Sequence, residues 1–263
     1  MKQHLLSSIR RLGLLGFADQ LHGLTHRLRC SGANRRFHAQ HPDYPLPPAS
    51  LAFEAYGHSC WDEYKQTGAA HARLFATLVR QHSGVASPKV AEWGCGCARI
   101  LRHLPAAGLD GAALTGIDVD CRAIVWCREH FPGFEFLQCS MQPTLALADD
   151  SFDAIYHYSV WTHLSPASVR LWAVELARIL RPGGVMIGTT HGDRYQSMLL
   201  ADERKQYQAG RPVVRQGYRE GRKYFLTFYP PSFVRSLLQD SFRQITLLPP
   251  EPDAPQDVWL TIK

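Results

Sequence analysis

Hydrophobic and polar positions along the chain change period several times, and the changes mark out its elements. Short apolar runs bounded by turn residues cover Lys89–Trp93, Ala112–Asp118, Gly133–Cys139, Asp153–Ser159 and Gly184–Thr190, which predicts five buried strands. Helical spacing falls between them at Ala98–Ala106, Cys121–His130 and Pro166–Leu180, the last stopped by Arg181-Pro-Gly-Gly184. This alternation predicts a parallel sheet with helices on both faces and ligands at the carboxyl ends of the strands. After Thr190 the rhythm breaks. Residues 191–230 show no clean period; Pro231–Gln239 then reads as a helix, and Phe242–Leu248 and Val258–Lys263 as two closing strands.

Upstream, Ala69, Ala72, Leu74, Phe75, Leu78 and Val79 trace the apolar stripe of a helix that leads into the first strand. The proline-rich stretch Arg35–Ser50 predicts an extended connector. Before it, Leu5, Leu6, Ile9, Leu12, Leu15 and Phe17 fit one face of a helix flanked by Lys2, Arg10 and Arg11. Such a face suits packing on the domain, a second copy in a homodimer, or peripheral contact with a membrane. The division expected is an extension over 1–50 and a catalytic domain over 51–263, with an insertion at about 195–230 capping the cleft. The apolar run Leu12–Ala18 lacks a small-residue cleavage site, and no stretch reaches the ~18 apolar residues of a membrane span. A cytoplasmic protein without a transmembrane segment is expected.

Composition narrows the class. The chain has 263 residues, 45% hydrophobic and 20% charged, enough for one well-buried core with appendages. Its net charge of +6 raises the question of nucleic acid, but the basic residues are spread out with no run of four, which favours a solvated basic surface. Seven cysteines, an odd number with several in expected core elements, predict reduced thiols and no disulfide framework. Cys95 and Cys97 stand one residue apart with no second pair at zinc-site spacing, so no metal is expected.

The candidate chemistry starts at Val90-Ala-Glu-Trp-Gly-Cys-Gly96, a buried strand ending in a glycine turn that lets a ligand approach the backbone. Asp118 closes the next strand 22 residues beyond Gly96, about where a strand–helix–strand unit places a ribose ligand. Dinucleotides and S-adenosylmethionine both use this arrangement. Glu92, before the first glycine, would attract the ammonium of a methionine moiety and repel a pyrophosphate. The third glycine of a dinucleotide fingerprint is also absent, Ala98 and Arg99 standing there.

With Tyr158-Ser-Val-Trp-Thr-His-Leu164, Trp172-Ala-Val-Glu-Leu-Ala-Arg-Ile-Leu-Arg-Pro-Gly-Gly184, Thr189-Thr-His-Gly192 and Gln256-Asp-Val-Trp259 added, residues 35–263 resemble a class I S-adenosylmethionine-dependent methyltransferase. Within that superfamily the likeness is to a bacterial group often associated with polysaccharide or secondary-metabolite clusters. The resemblance implies a Rossmann-like α/β fold with a central seven-stranded, mostly parallel sheet. It sets the methionine end of the cofactor against Glu92, Gly94 and Gly96, with Cys95 offering a backbone group. Asp118 would take the ribose hydroxyls. Val119 would lie on one adenine face and Ser140 with Met141 on the other, Ser140 standing where relatives often carry Asp or Asn. Ser159 joins the set at the end of the fourth strand, and Tyr64 with Gly68 resembles a segment that folds over the cofactor.

The implied reaction moves a methyl group from a sulfonium to an acceptor nucleophile, with oxygen favoured, and a hydroxyl acceptor would need a base. His191 ranks first and His163 second, each also readable as a structural histidine, and Asp193 could orient His191. The basic, aromatic cap suits a small-molecule, nucleotide-linked or glycan acceptor. Two other readings stand beside it: an NAD-dependent oxidoreductase or epimerase, against which the missing Tyr-x-x-x-Lys pair counts, and a non-catalytic partner that kept the fold.

Overall fold

A computed structural model describes residues 15–57, 59–215, 219–250 and 254–263. The chain divides into two compact units, Met1–Gln66 and Thr67–Lys263. The division falls inside a helix.

The first unit is helical. Helix α1 spans Leu15–Gln40 and α2 spans Ala49–Tyr56, and the opening turn of α3, Trp61–His82, completes it. The amphipathic stretch from Leu5 to Leu12 lies outside the described residues. Residues 35–40, expected as extended connector, are the end of α1; the chain-breaking prolines begin only at Pro42. Phe37, Ala52, Trp61 and Tyr64 form the core, with Tyr44, Leu46, Ala49 and Tyr56 packed against it. Cys30 and Cys60 are joined in a disulfide, which corrects the expectation that all seven cysteines are reduced. A separation of 30 residues with no regular spacing gave no sign of the pairing.

The second unit holds the sheet. Its strands are β1 Lys89–Trp93, β2 Ala113–Asp118, β3 Glu135–Gln138, β4 Phe152–His157, β5 Leu180–Thr190, β8 Gln244–Leu247 and β9 Asp257–Ile262, in the order β3-β2-β1-β4-β5-β9-β8. The five from β1 to β5 are parallel, and β9 runs antiparallel between β5 and β8. Strands β6 Val213–Arg215 and β7 Leu226–Phe228 form a separate pair in the insertion. Helices α4 Cys121–His130 and α5 Pro166–Ile179 follow β2 and β4. Asp120 caps the first by accepting the Arg122 N–H, and Ser165 caps the second by accepting the Ser168 N–H. Helices α6 Ala201–Gln208 and α7 Pro231–Leu238 come later.

Adjacent residues of β4 show that both faces are covered. Ile155 lies in a core with Trp93, Trp172, Leu176, Leu237 and Trp259, reaching α5 and α7. Tyr156 points the other way and stacks on Phe75 of α3, ring centroids 4.5 Å apart. This is the Rossmann-like, mostly parallel seven-stranded sheet expected. One element differs in the cofactor region. Residues 98–106 form turns and two short 3-10 segments, Leu101–His103 and Pro105–Ala107, in place of an α-helix. Ala98 sits in the left-handed region at φ +52°, which no helix interior accepts, and Pro105 would remove a helical donor.

Candidate active site

The glycine turn is held from β2. The Ile117 carbonyl accepts N–H bonds from Gly94 (2.7 Å) and Cys95 (3.1 Å), and Asp118 Oδ2 accepts the Gly96 N–H at 2.7 Å. Asp118 Oδ1 accepts the Asp120 N–H at 2.8 Å, so backbone donors from the glycine turn and from the start of the next loop fix both carboxylate oxygens. Burial raises the Asp118 carboxyl, opposed by the Asp120 and Gly96 N–H groups. Gly94 has φ +78°, and a Cβ there would overlap the Val160 methyl, so the turn can pass beneath the residues after β4 only without a side chain. Gly68 has the corresponding role from α3, where a Cβ would strike the Arg99 carbonyl.

Glu92 is only 3% exposed. Its Oε2 accepts from the Leu101 N–H and the Tyr156 hydroxyl, both at 3.0 Å, tying the turn to β4. Burial pushes its carboxyl up to about 8, against the lowering by Tyr156, Arg99 and Leu101. At neutral pH it therefore holds a proton until a cation is brought beside it. The thiols are packing groups: Cys127 Sγ donates to the Gly96 carbonyl (3.4 Å), and burial pushes Cys97 up to about 12 and Cys95 well above its usual range.

Two apolar side chains remain open at the carboxyl ends of β2 and β3. Val119 is 41% exposed and Met141 42%, a pair suited to a flat aromatic ring. Ser140 is exposed, its hydroxyl accepting the Gln142 N–H in a local turn (3.1 Å). Ser159 has φ +63° and belongs to a closed polar triangle: its N–H donates to Thr189 Oγ1 (2.7 Å), Thr189 to Gln256 Oε1 (2.6 Å), and Gln256 Nε2 back to Ser159 Oγ (2.8 Å). Tyr64 belongs to the first unit. It is fully buried in the aromatic core of that unit, edge-on to Trp61 and Tyr56.

The insertion is anchored over the ends of β4 and β5. Thr227 and Tyr229 hydroxyls donate to the Leu164 carbonyl (2.7 and 2.9 Å), the Gly221 N–H donates to the His163 carbonyl (2.9 Å), and Glu220 accepts the Ser165 N–H (2.6 Å). It has its own core of Leu199, Tyr207, Val213 and Phe228. At its far end Gly221 lies against the Met141 sulfur, so the insertion reaches across to the apolar pair.

Both candidate histidines lie beneath this cap. His163 Nδ1 contacts the Phe225 carbonyl at 3.0 Å; a carbonyl only accepts, so Nδ1 carries the proton and Nε2 the lone pair. Burial lowers its pKa, and the carbonyl raises it back in part. His191 stacks on Tyr195 at 4.2 Å, and burial with neighbouring His163 takes it down to about 3. Asp193 does not orient His191. Its Oδ1 accepts from the Tyr207 hydroxyl and Gln196 Nε2, both at 2.9 Å. Sequence reasoning passed over a further cluster, in which buried Arg99 donates to Thr67 Oγ1 (2.9 Å) and His71 Nδ1 (3.3 Å) while His71 packs on Tyr158 at 4.1 Å. Thr189 and Gln256 were also unassigned, although both stand in the motifs that carry the resemblance.

Residues 91–188 match the methyltransferase domain family. A methyltransferase domain thus spans β1 to β5. A fatty-acid O-methyltransferase of Mycolicibacterium smegmatis is 34% identical over 47% of this chain and 44% of its own length. A malonyl-[acyl-carrier protein] O-methyltransferase of Pectobacterium atrosepticum is 27% identical over 53% of each. The chain thus spans about half the length of these curated relatives. Among solved structures, Streptomyces venezuelae DesVI has TM-score 0.56 at 16% identity, covering 83% of this chain and 99% of that one. The sugar N-methyltransferase KedS8 of Streptoalloteichus has TM-score 0.53 at 16% identity, covering 74% and 87%. At these identities the two structures share the fold of the methyltransferase domain.

Proposed function

We propose that the chain transfers a methyl group from S-adenosylmethionine to an oxygen of a small-molecule or glycan acceptor. The observation that carries the cofactor half is Asp118, whose carboxylate fixes the glycine turn at the end of β2, beside the open pair Val119 and Met141. When bound, the cofactor supplies the activated methyl group. Glu92 would meet its ammonium, Gly94 to Gly96 admit its methionine end, and Ser140 with Met141 border the adenine. Ser159, fixed by Thr189 and Gln256, would stand at the end of the site nearest the cap. The acceptor half rests on the cap, whose bonds to residues 163–165 hold it against the segment that carries His163. Oxygen as acceptor atom is favoured by the O-methyltransferases among the relatives.

Isothermal titration with S-adenosylhomocysteine tests the cofactor half. Wild-type protein should bind it and ignore NAD, and Asp118→Ala should weaken binding by roughly tenfold or more, the loss of a charge-assisted bond of about 1.5–3 kcal/mol. Wild-type affinity in that variant would refute the assignment.

His163 is the base we assign for a hydroxyl acceptor, in place of the sequence ranking that put His191 first. Its proton is parked on Nδ1, leaving Nε2 to take the acceptor's, whereas a His191 held near 3 is a poor base at neutral pH. His163→Gln should lower kcat by roughly 10²–10⁴ and remove the acidic limb of its pH profile, while a His191 variant keeps that limb. A carboxylate acceptor would need no base, and a profile unchanged in His163→Gln would sink the base role.

A further inference from the structure

The first unit contains a cluster that methyl transfer does not use. His26 and Cys30 stand one helical turn apart on α1, and Cys60 faces them from the segment before α3. We propose that, with the disulfide reduced, His26, Cys30 and Cys60 bind a thiophilic divalent metal ion of the zinc class.

The geometry suits such an ion. The three ligand atoms lie within 4.8 Å of one another, and Cys30 Sγ is 3.7 Å from His26 Nδ1. Metal–sulfur and metal–nitrogen bonds of about 2.3 and 2.0–2.1 Å give a tetrahedral S···N edge of ~3.6 Å, so this pair already stands at ligand spacing. The imidazole is in the right form. Its Nδ1 accepts the Ser59 N–H at 3.4 Å, so Nδ1 is the unprotonated nitrogen, and a metal ion would take over the lone pair from that long bond. Cys60 is pre-positioned without the metal, because Asn34 clamps the backbone on both sides of it. Asn34 Nδ2 donates to the Ser59 carbonyl (2.8 Å), and Asn34 Oδ1 accepts the Trp61 N–H (3.0 Å). Such outer supports are what metal ligands need to hold their orientation. Ser59 is fully buried, and its hydroxyl has no hydrogen-bond partner, an orphan that a charged ligand shell would provide for. Soft sulfur and nitrogen donors without a carboxylate select zinc-class ions over magnesium or calcium.

The chemistry balances in two steps. A dithiol reductant gives two electrons and two protons to the Cys30–Cys60 bond and leaves as its own disulfide. The divalent ion then displaces the two thiol protons, forming two metal–sulfur bonds and one metal–nitrogen bond, and the fourth tetrahedral position falls to water.

Cobalt(II) titration of the full chain, reduced and freed of reductant, tests this. A thiolate-to-cobalt charge-transfer band saturating at one ion per chain is expected, displaced by zinc. The band should be absent from the oxidised protein and from the Cys30→Ser, Cys60→Ser double variant. His26→Ala, which keeps both thiols and probes the site if the double variant fails to fold, should weaken binding by roughly tenfold or more. A band of equal strength in the double variant would place the ion on other cysteines and overturn the proposal. So would no band in the reduced wild type, or unchanged affinity in His26→Ala.

Discussion

His157 lies under Gly188 at the end of β4, between Trp93 and Trp161, with no hydrogen-bond partner for either ring nitrogen. Burial alone takes its pKa down to about 3. The sign follows from proton counting. Below about pH 6.5 the unfolded chain binds a proton that the folded one refuses, so stability is full above that value and falls as pH drops toward 3. At pH 5 the loss is roughly 2 kcal/mol for each such histidine, and His191 adds a second. Urea midpoints measured from pH 7.5 to 4.5 should fall steeply in the wild type and less steeply in His157→Phe; parallel slopes would contradict this account. No reading of the sequence could give it, since His157 is polar by type and its apolar surroundings exist only after packing. Asp118 is the opposite case: its place at the end of an apolar run, a fixed distance after the glycine turn, is a property of the sequence itself.

At the scale of elements, legibility followed how local the cause was. β1 and α4 were bounded to the residue because a strand ending in glycine and an aspartate cap are local signals. β5 begins at Leu180, four residues early, because Leu180 pairs with Phe152 across an irregularity that the Pro-Gly-Gly signal conceals. The cap was unreadable for the same reason. Its short pieces are held by distant partners, such as Arg215, whose guanidinium meets Glu203 at 2.6 Å and covers the Phe228 ring. That pair is largely shielded from solvent, so breaking it should loosen the cap and spare the sheet. Glu203→Gln should speed proteolytic cleavage within 201–229 several-fold and raise KM for the acceptor while leaving adenosylhomocysteine affinity unchanged. Equal loss of both affinities would mean that the cap and cofactor site are not separable.

For the molecule as a whole, the division at Gln66/Thr67 separates two kinds of stabilisation. The second unit has a large sheet core and holds the residues proposed to bind the cofactor, while the ligands of the proposed metal site lie in the first. The first is small, and its disulfide closes a loop of 30 residues, worth roughly 3–4 kcal/mol by constraint of the unfolded chain. Hydrogen exchange should therefore respond in two places. Adenosylhomocysteine should protect amides at 94–98, 117–120 and 159, at saturation by roughly 2.7 kcal/mol for a hundredfold excess over Kd. Reductant in metal-free buffer should expose amides at 26–61. A reductant response confined to the sheet would be inconsistent with this partition. The sheet was legible from periodicity; the Cys30–Cys60 link was not, because it depends on α1 meeting the segment before α3.

The triangle of Ser159, Thr189 and Gln256 joins residues made far apart in time during protein synthesis. A ribosome that has translated through Phe242 has delivered the glycine turn, Asp118, both candidate histidines and the cap. It has not delivered β9, the strand that flanks β5 and brings in Gln256. A nascent or prematurely terminated chain of that length would possess the elements of a cofactor cradle while Ser159 and Thr189 lacked their common anchor. The polar anchor at the ends of β4 and β5 would then be completed only when β9 is made.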